Sequence, residues 1–262
     1  MKKNYISLVV LLLVSLVCFV ALSLWPDGID LGPLHVKTAT FAETLTTPAR
    51  ADQPEPTAAA PPADPAPPQM DNGKKTILFI GDSMLEGLGP RMAAYATHNG
   101  HTLVNVIWYS STTEVWGRNI PRLKELMRTY RPDYIIICLG ANELFVRNIK
   151  HQRQRYVDAI LNQIGNVPYV WIGPPNWKKD TGINDMLKAS CAPGCYYNSY
   201  TPDQHYDRSR DGAHPTRSSA AKWCDRVCEW IMTGSAHPIQ MQVPAKDKGR
   251  PKKIIMYQPV YY

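Results

Sequence analysis

Charge is sparse in this chain. Only 19% of its 262 residues are Asp, Glu, Lys or Arg, below the roughly 25% usual for soluble globular domains. Lys and Arg number 29 against 22 Asp and Glu, which leaves +7. The excess lies in the C-terminal part, while the stretch 26–73 is net acidic. Basic and acidic residues are interspersed, so the dense basic stripe of a nucleic-acid binder is missing. What excess there is favours an anionic polymer or a membrane surface without naming either. No internal repeat divides the chain. Hydrophobic residues make up 44%, with 16 Gly and 23 Pro, which excludes a wholly disordered chain and a coiled coil.

Lys2 and Lys3 precede an uncharged run from Tyr5 to Trp25, closed by Pro26-Asp27-Gly28. About 20 apolar residues span a hydrocarbon core as helix, and lysines before such a run favour a cytoplasmic N-terminus. Residues 1–26 are thus expected to be one transmembrane helix, with the rest of the chain on the periplasmic or extracytoplasmic side of the inner membrane. The rival is a cleaved signal peptide with its small-residue site at Ala21-Leu22-Ser23. Either one exports the chain. Cys18 does not make a lipoprotein signal, because Val17 before it is bulky and the cysteine lies deep in the run.

Residues 27–73 show no sustained hydrophobic period, and 47–69 is rich in Pro and Ala. Proline fixes φ and removes backbone donors, so 27–73 is expected to be a disordered, extended spacer. A single folded domain is expected over 74–235, followed by a basic flexible tail over 236–262. Within the domain, short apolar runs alternate with helical periods. Strands are expected at Thr76–Ile80, Leu103–Trp108, Tyr134–Leu139 and Tyr169–Ile172. Helices are expected at Leu85–His98, Ile120–Tyr130, Arg153–Ile164 and Thr216–Met232. This order implies an α/β domain, a three-layer α/β/α sandwich on a parallel sheet. Function in such sheets sits on the loops beyond the carboxyl ends of the strands.

Three blocks occupy those loops. Gly81-Asp82-Ser83 follows the first strand, where a serine at a strand-to-helix turn can act as nucleophile while the turn's N–H groups face an oxyanion. Capping by Asp82 or Ser83 is the bland alternative. Gly140-Ala141-Asn142-Glu143 ends the third strand, and Asn142 can aim its amide above Ser83 or simply make a turn. Asp211-Gly212-Ala213-His214-Pro215 precedes the last helix. There His214 can serve as base and Asp211 as the group that orients it, and a solvated histidine at a helix start is the alternative. Asp203 and Asp207, further upstream, suit that role less.

In this order, the three blocks resemble the SGNH or GDSL hydrolase family over Thr76 to Met232. The resemblance implies a flavodoxin-like sandwich with Ser83 as nucleophile, His214 as base, Asp211 as its orienter and Asn142 as oxyanion donor. It also implies donors from the Ser83 N–H and from a residue after the second strand, where Ser111 stands in place of the family's glycine. Glu143 stands where an Asp often follows the Asn, and no catalytic role is assigned to it. No metal or organic cofactor is implied.

Of six cysteines, Cys18 lies in the apolar run and Cys138 in a strand. Cys191, Cys195, Cys224 and Cys228 form two Cys-x-x-x-Cys pairs without further zinc ligands. In an oxidising compartment they are expected to form two disulfides joining the 191–195 loop to the last helix. Trp108-Tyr109, Trp116, Trp177 and Tyr196-Tyr197 are either a wall for sugar stacking or packing residues. Lys178-Lys179 and the basic tail read as solvated or as contacts for anionic polymer or lipid head groups.

The expectation is an exported, membrane-anchored serine esterase acting on O-acyl groups, O-acetyl foremost, of an envelope or secreted polysaccharide. Its rivals are a polysaccharide O-acyltransferase, a lipid esterase or lysophospholipase, and a catalytically silent carbohydrate-binding module. No nucleic-acid partner is expected, and the sequence names no protein partner.

Overall fold

A computed structural model describes residues 10–16, 29–31, 34–36 and 68–260, and the chain divides into two compact units, 1–64 and 65–262. In the first unit, residues 10–16 are helical and exposed. β1 (Ile29–Leu31) pairs antiparallel with β2 (Leu34–Val36), Ile29 opposite Val36. This hairpin lies inside the stretch expected to be a spacer without structure. No helix among the described residues is long and apolar enough to cross a membrane. The flanks of the apolar run, Cys18, the alternative cleavage site and the Pro/Ala-rich segment lie outside the described residues.

The second unit is built on a six-stranded parallel sheet in the order β7-β6-β5-β3-β4-β8. Its strands are β3 (Thr76–Gly81), β4 (Thr102–Trp108), β5 (Tyr134–Cys138), β6 (Tyr169–Ile172), β7 (Tyr196–Tyr197) and β8 (Lys253–Tyr257). The helices are α1 (Leu85–His98), α2 (Thr113–Arg118), α3 (Ile120–Tyr130), α4 (Ile149–Ile164), α5 (Ile183–Ser190) and α6 (Arg217–Thr233). Successive strand residues point to opposite faces. Ile77, Phe79, Tyr134 and Ile136 therefore pack with Leu88 and Met92 of α1 and Trp223 and Val227 of α6. Leu78, Ile80, Ile135 and Ile137 pack with Trp116, Leu123, Val157 and Ile183 from α2 to α5. Two buried faces explain why these strands read as unbroken apolar runs. β4 and β5 flank β3 on opposite sides, so the chain reverses direction about β3 and opens a crevice at its carboxyl end.

Two expectations are corrected here. The folded unit extends beyond 74–235 at both ends. Asp71 bridges Ile239, Ile239 and Met241 are buried, and residues 253–257 add β8 alongside β4 instead of trailing as a flexible tail. The edge of β4 has backbone groups to satisfy, and the Lys-Ile-Ile-Met-Tyr segment satisfies them. Secondly, Cys191 and Cys195 pack on the α2–α5 face of the sheet whereas Cys224 and Cys228 pack on the α1/α6 face. No bridge joins the loop to the last helix in this structure. All four are buried free thiols, as is Cys138. The Cys224 and Cys228 sulfurs stand 4.0 Å apart, about twice a disulfide bond length.

Candidate active site

β3 ends at Gly81, and the chain turns through Asp82 and Ser83 into α1. Asp82 is fully buried. Its N–H donates to the Cys138 carbonyl at 3.3 Å, and its Oδ1 accepts the Met84 N–H at 2.9 Å. Leu85 and Glu86 donate to the carbonyls of Asp82 and Ser83. These bonds leave Ser83 half-exposed at the mouth of the helix. Among the described residues nothing accepts its backbone N–H. Asp82 caps the turn, and Ser83 is free to do something else.

The Ser83 Oγ lies 2.8 Å from Nε2 of His214, 131 residues later in the chain. The His214 Nδ1 lies 2.8 Å from Oδ2 of Asp211, whose Oδ1 accepts the N–H groups of Ala213 (2.9 Å) and His214 (3.0 Å). Those two backbone donors, and then the imidazole, pull the Asp211 carboxyl down to about 2. Asp211 is thus a carboxylate at any ordinary pH. A carboxylate at Nδ1 calls for the proton there, which leaves the Nε2 lone pair for the serine hydroxyl. Thr216 closes the turn by capping α6 through the Ser219 N–H. Asp207 takes no part, since its carboxylate accepts the Ser219 hydroxyl instead.

Asn142 sits in a single 3-10 turn, Ala141–Glu143, entered through Gly140 at φ 123. Its Nδ2 donates to the Ser111 carbonyl at 2.9 Å and makes a long 3.4 Å contact to Asp82 Oδ2. Ser111 does not present the expected free N–H. That group donates to the Trp108 carbonyl at 3.1 Å, and the Ser111 Oγ accepts from Trp116 Nε1. The left-handed residue in this turn is Ser110 at φ 54. What Ser111 turns toward Asn142 is its carbonyl, so the expected Ser111 donor is replaced by an acceptor that anchors the asparagine.

Three residues with no catalytic role expected from the sequence hold these loops together. Glu143 is fully buried, accepting the N–H and hydroxyl of Thr113 and a guanidinium N–H of Arg153. It thereby ties the Asn142 turn to the loop after β4 and to α4. Burial pushes its carboxyl up, against the pull of Thr113 and Arg153. Arg208 donates to the carbonyls of Ala213, Pro175 and Asn176, stapling the His214 loop to the segment after β6. Asp82, whose carboxyl burial raises to about 7, joins the serine turn to Asn142. The signal available in advance was the adjacency of Asp82 and Glu143 to the blocks. Arg208 carried none.

Ser83, Met84, Glu86, Gly87, Asp211, His214 and Arg217 line an open cleft of about 480 Å³. Of the aromatic candidates, Trp108 and Trp116 are core residues packed edge to face at 5.2 Å. Tyr197 is buried against Trp230, and Tyr196 bonds Asn184. Trp177 alone among them meets the Asn142 turn, donating to the Ala141 carbonyl at 2.8 Å with Lys178 over its ring. Among the described residues no cluster of His, Cys, Asp or Glu could hold a metal ion.

No family model matches the chain, and neither does any curated protein. Several solved structures resemble it, among them these three. One is a psychrotrophic esterase from Pseudoalteromonas sp. inhibited by monoethylphosphonate (19% identity, 62% of this chain and 97% of that one, TM-score 0.45). Another is a putative lipolytic protein of the G-D-S-L family from Desulfitobacterium hafniense (14%, 59% and 98%, TM-score 0.42). The third is a family 3 carbohydrate esterase from Clostridium thermocellum (19%, 60% and 94%, TM-score 0.45).

Proposed function

We propose that the chain is a serine ester hydrolase of the SGNH type, exported and membrane-anchored, that removes O-acyl groups, above all O-acetyl, from an envelope or secreted polysaccharide. One observation carries the hydrolase reading: the unbroken chain of hydrogen bonds from Asp211 through His214 to the Ser83 hydroxyl, 2.8 Å at each link. In the first half-reaction the Ser83 oxygen attacks the ester carbonyl carbon while His214 Nε2 takes its proton. The tetrahedral oxyanion collapses, the C–O bond to the alcohol breaks, and His214 returns the proton to the departing alkoxide. In the second, His214 deprotonates water, which attacks the acyl-enzyme, releases the carboxylic acid and restores the serine hydroxyl.

The oxyanion needs donors placed before charge develops. The Ser83 N–H at the start of α1 is free for this, and the dipole of that helix adds to it. One Asn142 N–H is held by Ser111, which fixes the amide plane. Its other N–H has only the 3.4 Å contact to Asp82 to lose on turning to an oxyanion. Export rests on Lys2, Lys3 and the apolar run after them. The polysaccharide substrate rests on that location and on an open, largely polar cleft.

The test is a serine-directed fluorophosphonate probe together with p-nitrophenyl acetate, butyrate and octanoate. Wild type is expected to be labelled and to prefer acetate. Ser83→Ala is expected to keep its melting temperature, lose labelling, and lose about 10⁴-fold or more in turnover. Unchanged turnover in purified Ser83→Ala would remove the nucleophile.

A further inference from the structure

The cleft at Ser83 does not end there. It shares Glu86, Gly87 and Arg217 with a cavity of about 660 Å³ between α1 and α6. That cavity in turn shares Pro90 and Lys248 with one of about 800 Å³ between α1 and segment 244–250. Shared lining residues set the three side by side along α1 from Glu86 to His98, about 18 Å at 1.5 Å per residue.

The far wall of this groove is rigidly attached. The Gly249 N–H donates to the Pro90 carbonyl at 2.8 Å. A Cβ on Gly249 would stand 2.5 Å from the Ala94 nitrogen, so only glycine lets the segment lie this close to the helix. Arg91, nearly buried, pairs with Asp225 at 2.6 Å and donates to the Lys246 carbonyl at 3.0 Å. A wall held this way keeps its charges in place.

Cations outnumber the carboxylates Glu86, Asp211, Asp225 and Asp247 among those charges. Arg217, Lys222, Lys246, Lys248 and Arg250 are exposed along the groove, and none has a carboxylate partner among the described residues. The carboxylates nearby are engaged: Asp225 and Asp247 with Arg91, Glu86 with the Tyr109 hydroxyl. Leu, Ile, Phe and Trp are missing from the lining, and the apolar residues at its far end are Pro90, Ala94, Pro244 and Ala245. We infer that this groove binds a polyanionic polysaccharide, its cations meeting successive acidic units and feeding an acylated unit to Ser83. The inference specifies the substrate class of the hydrolase reading and rests on that reading for the reaction, while the groove itself does not.

The full-length protein is assayed on O-acetylated polygalacturonate, on neutral O-acetylated glucomannan and on p-nitrophenyl acetate. The polyanion is expected to be preferred about tenfold in kcat/KM at low salt, and to lose about tenfold between about 50 and about 500 mM NaCl. Lys246→Glu/Lys248→Glu/Arg250→Glu should lower the ratio of polyanion rate to p-nitrophenyl acetate rate about tenfold. A salt-insensitive rate, equal use of the neutral glycan, or an unchanged ratio in the triple variant would overturn the inference and leave the hydrolase reading standing. If p-nitrophenyl acetate is not hydrolysed, the hydrolase reading falls and the groove is decided by affinity electrophoresis of Ser83→Ala in polygalacturonate. Retardation that the triple variant loses supports it. No retardation, or capture instead by phosphatidylglycerol vesicles, overturns it.

Discussion

Asn142 and Asp82 are neighbours at the site, and each makes a separate prediction. An oxyanion donor bonds most strongly when the oxygen carries full charge, so its loss falls on kcat rather than on KM. Asn142→Ala is expected to lower kcat about 10²–10³-fold with little change in KM. Asp211→Asn, which upsets the His214 tautomer, gives a second kcat defect in the same steady-state assay. A several-fold rise in KM at constant kcat would make Asn142 a binding or turn residue. For Asp82, burial lifts the carboxyl from 3.8 to about 7 in the folded protein. Between those values the folded state holds a proton that the unfolded chain has released, so stability falls as pH rises through the window and levels off above it. Asp82→Asn removes that loss. Its melting temperature relative to wild type is expected to climb from pH 4 to pH 8, and parallel melting curves across that range would refute the assignment. Glu143, also raised by burial, adds a slope of the same sign to both proteins.

At the scale of elements, β8 is the piece whose role was least apparent. It contributes five paired positions along β4, from Val104–Lys253 to Trp108–Tyr257. Its end carries the Tyr257 ring under Arg122 at 4.1 Å and the Gln258 carbonyl bonded to Trp108 Nε1 at 2.9 Å. Deleting residues 251–262 would open the β4 edge and uncover Trp108. A loss of about 2–4 kcal/mol is expected, read as a fall in the denaturation midpoint in urea, together with concentration-dependent aggregation from the bared edge. An unchanged midpoint would show that β8 covers nothing of consequence. The element was hard to read because its residues are largely exposed at a sheet edge and follow Lys246, Lys248, Arg250, Pro251 and Lys252. The same holds for α2, a six-residue helix started by the Thr112 side chain on the Val115 N–H, too short to display a period.

At the scale of the whole molecule, the candidate site belongs to one of the two units. Ser83, Asn142, Asp211 and His214 all lie in the unit 65–262, and among the described residues both apolar layers that position them come from that unit. A protein of residues 65–262 is expected to fold, to melt within about 2 °C of the full chain, and to hydrolyse p-nitrophenyl acetate with the same kcat/KM. Failure of that fragment to fold, judged by circular dichroism and melting, would make the N-terminal region part of the domain. Sequence alone determined the parallel sheet and the order of the blocks on it. Buried parallel strands are continuous apolar runs, and Gly81-Asp82-Ser83, Gly140-Ala141-Asn142 and Asp211-Gly212-Ala213-His214 each follow from local chemistry. Tertiary structure alone decided everything set by which face or edge a residue reaches. It put the two cysteine pairs on opposite sides of the sheet. It also folded the basic tail into the far wall of the groove. These outcomes depend on contacts between segments a hundred or more residues apart, such as Arg91 with Lys246 and Ser83 with His214, and no local pattern encodes a distance of that kind.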